Sequence, residues 1–500
     1  MAGLSRRYLI GGLLAGLAGE ALADAPRVSL RPLVRPGGSV APSGAPVKPE
    51  VTAAAELISR ANLGGKVSFA VADMKTGEML EAEQGDVPMP PASTAKIITT
   101  LYALSCLGPG YRFATRLIGT GPIVAGNLTG DLVLAGGGDP LLSTDGLGDM
   151  ASDLARTGLR RVKGGFRVWG GALPYLSAID ASQPDYLGFN PAVSGLNLNF
   201  NRVNFVWKRA GGDYELSMDA RAERFAPQVY SSRIRVVDRD LPVYTYARDA
   251  RHEDWTVARR ALGKGGSRWL PVRRPQLYAG DVFQTLARAA GVPLPAPEVA
   301  AALPEGTALV EQRSADLRAI LKDMLKYSTN LTAEAVGMAA SVRRGISSHV
   351  ASGREMSRWA NERAGVTSIR LVDHSGLGGA SRISTADMVR VLVRLGPDAG
   401  MRGLLKGYAF HDDSGRKLKG QDVRVSAKTG TLNFVSALAG YITTADGREL
   451  AFATLTGDVA RRDAIPESQR ERPEGSRAWV VRSRRLQQAL IERWAAIYGA

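Results

Sequence analysis

The sequence is short of the residues that staple, metallate or anchor a protein. One cysteine among 500 residues excludes an internal disulfide. Cys106 falls in a predicted helix, where a buried structural thiol is the expected state rather than a reactive one. Only four histidines are present, His252, His349, His374 and His411, and their dispersal leaves no ligand set at metal-site spacing. No metal or organic cofactor is expected. The apolar run from Tyr8 to Ala18 is too short to cross a bilayer comfortably, so no transmembrane anchor is expected either. No internal repeat is visible. Acidic residues are outnumbered, 48 Asp and Glu against 64 Lys and Arg, for a net charge of +16.

What is present begins with an address. Arg6-Arg7, the apolar run and Ala21-Leu22-Ala23 read as a signal peptide over residues 1–23, with a small-x-small cleavage site. Ser5-Arg6-Arg7-Tyr8-Leu9-Ile10 also resembles a twin-arginine signal, so a Sec and a twin-arginine route both fit. Either takes the mature chain out of the cytoplasm, and the periplasm is the expected place. Residues 24–50 are rich in Pro, Gly and Ser and read as an extended linker. A basic exported chain suits an anionic polymer or a membrane surface, with peripheral association left open. Nucleic acid is not expected as a partner. The arginines from Arg221 to Arg274 and from Arg461 to Arg493 are spread rather than striped, so the excess also reads as solvated surface charge. Length suggests about three domains. A composition of 45% hydrophobic and 22% charged residues is that of an ordinary globular chain.

The folded part opens near Val51, with a helical pattern over Ala53–Ala61 and strands over Lys66–Asp73 and Met79–Glu81. Their turn holds Lys75-Thr76-Gly77, where the glycine serves the turn. Ser93-Thr94-Ala95-Lys96 then opens an apolar helix through Ile97, Leu101 and Leu104, stopped at Gly108-Pro109-Gly110. A Ser and a Lys three apart share a helical face. The amine can reach the hydroxyl, giving a nucleophile with its own base and no need for histidine. A second copy, Ser414-Gly415-Arg416-Lys417, sits in a polar stretch with no apolar run behind it and reads as a loop.

Short strands and turns follow. Gly136-Gly137-Gly138-Asp139-Pro140 lacks the Lys-Ser/Thr of a phosphate loop and reads as a turn. Helix returns from Ala315 to Ala340, on both sides of Tyr327-Ser328-Thr329-Asn330. Strands are predicted at Val423–Ala427, Val435–Ile442 and Leu450–Thr456, and Lys428-Thr429-Gly430-Thr431 ends the first of them. A last helix, about Ser476 to Ile497, aligns Trp479, Leu486, Leu490 and Trp494 for packing onto these strands.

Ser93-x-x-Lys96, Ser328-Thr329-Asn330 and Lys428-Thr429-Gly430 stand in the order and context of a penicillin-binding or serine β-lactamase site, and the set resembles that superfamily. Ser93 and Ser328 lie 235 positions apart. That gap resembles the large insertion of the class C low-molecular-mass penicillin-binding proteins, the D-alanyl-D-alanine carboxypeptidase/endopeptidases of peptidase family S13. The resemblance extends through Gly136–Pro140, Asn190–Asn199 and Asp373–Leu377, and covers nearly all of the chain after residue 51. It implies an α+β fold: a transpeptidase-like domain, an antiparallel sheet flanked by helices plus a helical subdomain, with a large, mostly β insertion. The expected division is 51–114 and 306–500 for the catalytic domain and 115–305 for the insertion, with a nested subdomain near 205–270.

The resemblance also implies the chemistry. Ser93 would attack the penultimate D-alanine carbonyl of a peptidoglycan stem peptide and become an acyl-ester. Burial and the charge of Lys428 would both lower the Lys96 pKa and free it as base. Ser328 would relay the proton, and Asn330 would hold Lys96 and the substrate amide. Lys428 and Thr429 would bind the terminal carboxylate, while the backbone N–H groups of Ser93 and Thr431 would form the oxyanion hole. β-Lactam antibiotics would be covalent inhibitors. Two rivals remain, a β-lactamase and a non-catalytic wall-binding scaffold. In one place the pattern departs from the family: Phe166–Gly171 has glycines where an Asp would meet the amino group of a diaminopimelate side chain. His374 stands where Gly is more usual, and a loop-stabilising hydrogen bond is expected of it. Glu334, one turn past Asn330, is expected to be structural rather than a deacylating base.

Overall fold

The structure, a computed structural model, describes residues 51–412 and 414–499. The signal and linker read over residues 1–50 lie outside these. The first elements are α1 (Ala54–Ala61), β1 (Lys66–Asp73), β2 (Met79–Glu83) and α2 (Ala95–Leu107). After a long insertion come α3 (Leu317–Tyr327), α4 (Asn330–Val342), α5 (His349–Ala364) and α6 (Thr385–Leu395). The chain ends with β3 (Lys406–Gly407), β4 (Arg424–Leu432), β5 (Val435–Thr443), β6 (Glu449–Gly457) and α7 (Ser476–Tyr498). The strands form one antiparallel sheet in the order β3-β4-β5-β6-β1-β2.

The two faces of this sheet carry different residues, and the difference places the site. On one face stand Ala70, Ala72, Ala437, Ala439, Ala451 and Ala453, packed with Ile97, Ile98, Leu101, Val336 and Val389 of the helices. On the other stand Phe69, Val71, Leu438, Ile442 and Phe452, packed with Trp479, Leu490 and Trp494 of α7. Successive strand residues point to opposite faces, and β5 is buried along its whole length, its polar Ser436 and Thr443 included. The methyl-sized face lets the helical layer approach closely, which brings the start of α2 against β4.

The insertion builds its own sheet, in the order Pro297–Val299, Phe166–Trp169, Leu132–Gly136, Ala114–Gly119, Thr307–Arg313. The last two strands pair antiparallel, so the outgoing and returning chains lie side by side. The returning strand of this sheet ends at Arg313, opposite Ala114. Helices Thr144–Arg156 and Pro275–Ala289 pack with this sheet over a separate core that includes Leu134, Leu147, Val168 and Phe283. The insertion also holds three three-stranded sheets among the described residues: Arg202–Ala210, Asp213–Asp219 and Gly265–Pro271; Ser232–Val237, Tyr244–Arg248 and Glu253–Ala258; and the short Ile123–Val124, Asn127–Leu128 and Arg161–Val162. The architecture is α+β, as the motifs implied. Among the described residues, no helix is long and apolar enough to cross a membrane.

Candidate active site

Ser93 lies in a single 3₁₀ turn, Ala92–Thr94, that leads directly into α2. Lys96 is fully buried one turn later, and its Nζ donates to three oxygens: Ser93 Oγ (2.9 Å), Asn330 Oδ1 (2.8 Å) and the Ser375 carbonyl (2.7 Å). Burial draws its pKa down to about 8, against the opposing pull of Asp373 and Glu334. Lys428 is likewise held well below the usual lysine range, by burial first and then by the charges of Lys96 and Lys406.

Two glycines make the turn possible. A methyl group at Gly430 would stand 2.9 Å from both the Pro91 carbonyl and the Ser93 nitrogen. Only a glycine lets β4 come that close, so the third residue of the Lys-Thr-Gly run is fixed by contact with the nucleophile's own backbone. At Gly376, φ is +74° and a methyl would lie 1.9 Å from the Ala92 carbonyl.

Ser328 ends α3 in the left-handed region (φ 59°), and its Oγ accepts from Lys428 Nζ at 3.0 Å. It is tied to Lys428 and not to Lys96. Asn330 Oδ1 holds Lys96, while its Nδ2 donates to the Phe189 carbonyl of the insertion (3.0 Å), which brings that loop to the site. Thr429 is exposed at the edge of β4 and lines a cavity of about 810 Å³ with Lys326, Lys406 and Arg484. Thr431 Oγ1 accepts from Arg484 at 3.3 Å. Hydrogen bonds thus join Lys96 to Ser93 and Asn330, and Lys428 to Ser328, whereas the Thr429 and Thr431 side chains face the cavity and Arg484 and reach the site only through β4. The two look-alike motifs do not join them. Lys75-Thr76-Gly77 is the β1–β2 turn, with Gly77 at φ 74°, and Ser414 Oγ donates to Asp412 in a surface loop.

Sequence spacing concealed a buried layer behind Lys96. Glu334, fully buried on α4, accepts from the backbone N–H of Ser375 (2.8 Å) and of His374 (3.1 Å). Its Oε2 also meets His349 Nε2 and His374 Nδ1, each at 2.9 Å. Burial alone would raise its pKa, but hydrogen bonds from His349 and His374 hold it well below the carboxylate range. His349 is drawn above its ordinary value by Glu334 despite burial. Asp373, buried beside them, is pushed up to about 7 by burial and by the charge of Glu334. Two of the four dispersed histidines therefore converge. Glu334, His349 and His374 have donor atoms within 4.8 Å of one another, close enough to share a metal ion. As they stand, both imidazole contacts are at hydrogen-bond distance and fall on Glu334 Oε2, which also accepts from the His374 N–H. The expectation of a loop-stabilising His374 and a structural Glu334 accords with these contacts. Their place directly behind the Ser375 carbonyl that binds Lys96 was missed. A signal did exist: Glu334 is four residues past Asn330, on the same helical face.

The family model of the D-Ala-D-Ala carboxypeptidase 3 (S13) family matches residues 51–472. The D-alanyl-D-alanine carboxypeptidase DacB of Haemophilus influenzae is 24% identical, covering 81% of this chain and 89% of that protein. The D-alanyl-D-alanine carboxypeptidase of Actinomadura sp. strain R39 is 26% identical, covering 83% of this chain and 84% of that protein. In fold, the chain is similar to the crystal structure of penicillin-binding protein 4 from H. influenzae, with a TM-score of 0.73 at 20% identity, over 89% of this chain and all of that one. With the family model spanning both parts of the catalytic domain and the insertion between them, the chain belongs to the D-Ala-D-Ala carboxypeptidase 3 (S13) family.

Proposed function

We propose that this protein is an exported, periplasmic serine D-Ala-D-Ala carboxypeptidase that also cleaves D,D cross-links, acting on peptidoglycan stem peptides through an acyl-ester on Ser93. The observation that carries the reading is the Lys96 amine, 2.9 Å from Ser93 Oγ and held near neutrality by burial. An ordinary lysine, with a pKa of about 10.4, stays protonated at neutral pH and is no base. Lys96 accepts the Ser93 proton as the oxygen attacks. The oxyanion that forms sits between the N–H groups of Ser93 and Thr431, an arrangement that typically contributes about 3–4 kcal/mol to lowering the barrier. Ser328, hydrogen-bonded to Lys428, delivers a proton to the leaving amine. The terminal carboxylate of the substrate binds Lys428 and Thr429. Lys406 and Arg484 next to Thr429 add positive charge there, which supports a preference for a free C-terminus. The substrate amide takes the Nδ2 donor of Asn330 from the Phe189 carbonyl. Water then hydrolyses the ester.

The same acylation makes the protein a covalent target of β-lactams. A solved H. influenzae penicillin-binding protein 4 complexed with a β-lactam shares the fold, at 21% identity and a TM-score of 0.70. The test is incubation with a labelled penicillin and, separately, with a pentapeptide ending in D-Ala-D-Ala. A stable adduct and D-alanine release, both lost in Ser93→Ala, are the expected results. Rapid turnover of the drug would make it a β-lactamase. No release of D-alanine would leave a wall-binding scaffold.

A further inference from the structure

The insertion brings to the site a cation, Arg202, that no carboxylate among the described residues answers. Arg202 begins the strand Arg202–Ala210 and lines a cleft of about 160 Å³ together with Phe189, Tyr327, Ser328 and Asn330. Its guanidinium stacks near Phe200 (5.2 Å to the ring centre) and Trp269 (5.6 Å). Its Nε is buried with no hydrogen-bond partner, and among the described residues no carboxylate pairs with it. Arg273, also in the insertion and similarly enclosed, behaves in the opposite way. It donates to the carbonyls of Ser177 (3.0 Å), Asn190 (2.7 Å) and Asp185 (2.7 Å). A desolvated guanidinium with no acceptor is costly. Arg273 avoids that cost and Arg202 does not.

The backbone that presents Arg202 is itself strained. Asn199, Phe200 and Asn201 are consecutive non-glycine residues with φ of 49°, 58° and 50° in the left-handed region. Such residues cost of order 1–3 kcal/mol each and persist only where the surroundings over-determine them. Here the Asn201 side chain does so, accepting from the Leu198 N–H (2.9 Å) and donating to the Ala192 carbonyl (2.9 Å) and Asn197 Oδ1 (2.8 Å). The strain lifts Phe200 and Arg202 to the rim of the cleft. Phe189 and Tyr327, 49% and 64% exposed, face water there. An open cleft, a guanidinium with an unpartnered Nε and two exposed rings thus lie together beside Asn330.

We infer that Arg202 anchors a carboxylate-binding subsite beside Ser328 and Asn330, separate from the terminal-carboxylate position at Lys428 and Thr429. The inference rests on the peptidase reading given above. The guanidinium offers a paired donor set matched to a carboxylate. That carboxylate comes either from the side chain of the peptide that acylates Ser93 or from the departing peptide of a cross-link.

Two substrate pairs separate these sources. The first is a D-Ala-D-Ala pentapeptide whose third residue carries a side-chain carboxylate, against the same peptide with a carboxamide. The second is a cross-linked peptide dimer with that exchange made on the departing strand. In the wild type, kcat/KM is expected to favour the carboxylate by about tenfold or more in one of the pairs. The ratio falls to near one in Arg202→Gln and stays above it in Arg202→Lys. Each ratio is taken within one preparation, so the fraction of folded enzyme cancels. No discrimination by the wild type in either pair overturns the subsite, as does an undiminished ratio in Arg202→Gln. D-Alanine release from the carboxamide pentapeptide, abolished in Ser93→Ala, reports the peptidase itself. Its absence sinks the underlying function, whereas its presence without discrimination sinks only the subsite.

Discussion

The cleft has two unlike walls. Behind Lys96, the wall formed by Glu334, His349, Asp373 and His374 is closed: Glu334 alone receives two backbone N–H groups and two imidazoles. Toward the insertion, the wall formed by Phe189, Arg202 and Tyr327 is open, with two exposed rings and an unpaired guanidinium. The contrast teaches a division of labour. A site that must hold a serine and a lysine at 2.9 Å before substrate arrives needs its polar groups already satisfied. A surface that must recognise a charged peptide needs some left unsatisfied until the peptide binds. Substitutions on the closed wall should therefore change stability and catalysis together, and those on the open wall should change substrate preference alone.

The largest expected effect is from Gly376→Ala. The methyl group would collide with the Ala92 carbonyl at 1.9 Å, at a residue already in the left-handed region. Relief requires the closed wall and the nucleophile turn to separate, with a loss of about 2–4 kcal/mol of stability and of nearly all penicillin acylation. A thermal melt and an adduct assay measure the two. Unchanged acylation would mean that the loop carrying Ser375 does not set the position of Lys96.

Glu334→Gln comes next. The amide keeps the volume but removes the charge between two imidazoles and cannot accept on both sides. We expect about 3 kcal/mol of destabilisation. Displacement of the Ser375 carbonyl should cut the acylation rate up to 100-fold, since a 1 Å misplacement can cost about that much. A melt that shifts without any change in rate would divorce the closed wall from catalysis.

The pH profile has a smaller range and tests the base directly. Lys96, near 8, must be unprotonated to take the Ser93 proton. Its folded pKa lies below the ordinary lysine value, so the active fraction grows as pH rises through 8. Penicillin acylation should increase about tenfold from pH 7 to pH 9 and then level off. A flat profile over that range, or a limb below pH 6, would remove Lys96 as the base.

The two walls also differ in how far the sequence disclosed them. Ser93, Lys96, Ser328, Asn330 and Lys428 were legible because their chemistry is tied to short spacings and to the ends of periodic elements. The sheet was legible because Trp479, Leu486, Leu490 and Trp494 share a helical face and β5 is apolar over most of its length. The closed wall was hidden because His349 and His374 are 25 residues apart and converge on Glu334 from a third segment. Nothing local marks such a convergence. Arg202 was hidden for a different reason. An arginine after Asn-Phe-Asn looks like many others in a basic chain, and what distinguishes it is the acceptor it does not have. Long-range absence of a partner leaves no trace in a sequence.

The smallest effect should be the stability of Arg202→Gln, and it discriminates most sharply between the walls. Among the described residues the Arg202 side chain gives up no hydrogen bond and no ion pair on substitution, only its contacts over Phe200 and Trp269. The loss should be about 1 kcal/mol or less. Arg273→Gln, by contrast, leaves the carbonyls of Ser177, Asn190 and Asp185 without their donor in a buried place, which should cost several times more. Removing an unanswered buried charge can even stabilise the fold, so a slight rise in melting temperature for Arg202→Gln would still fit an open wall. A fall as large as that of Arg273→Gln would not. It would mean that Arg202 holds the insertion together, and the cleft beside Asn330 would then be closed on both sides before any peptide arrives.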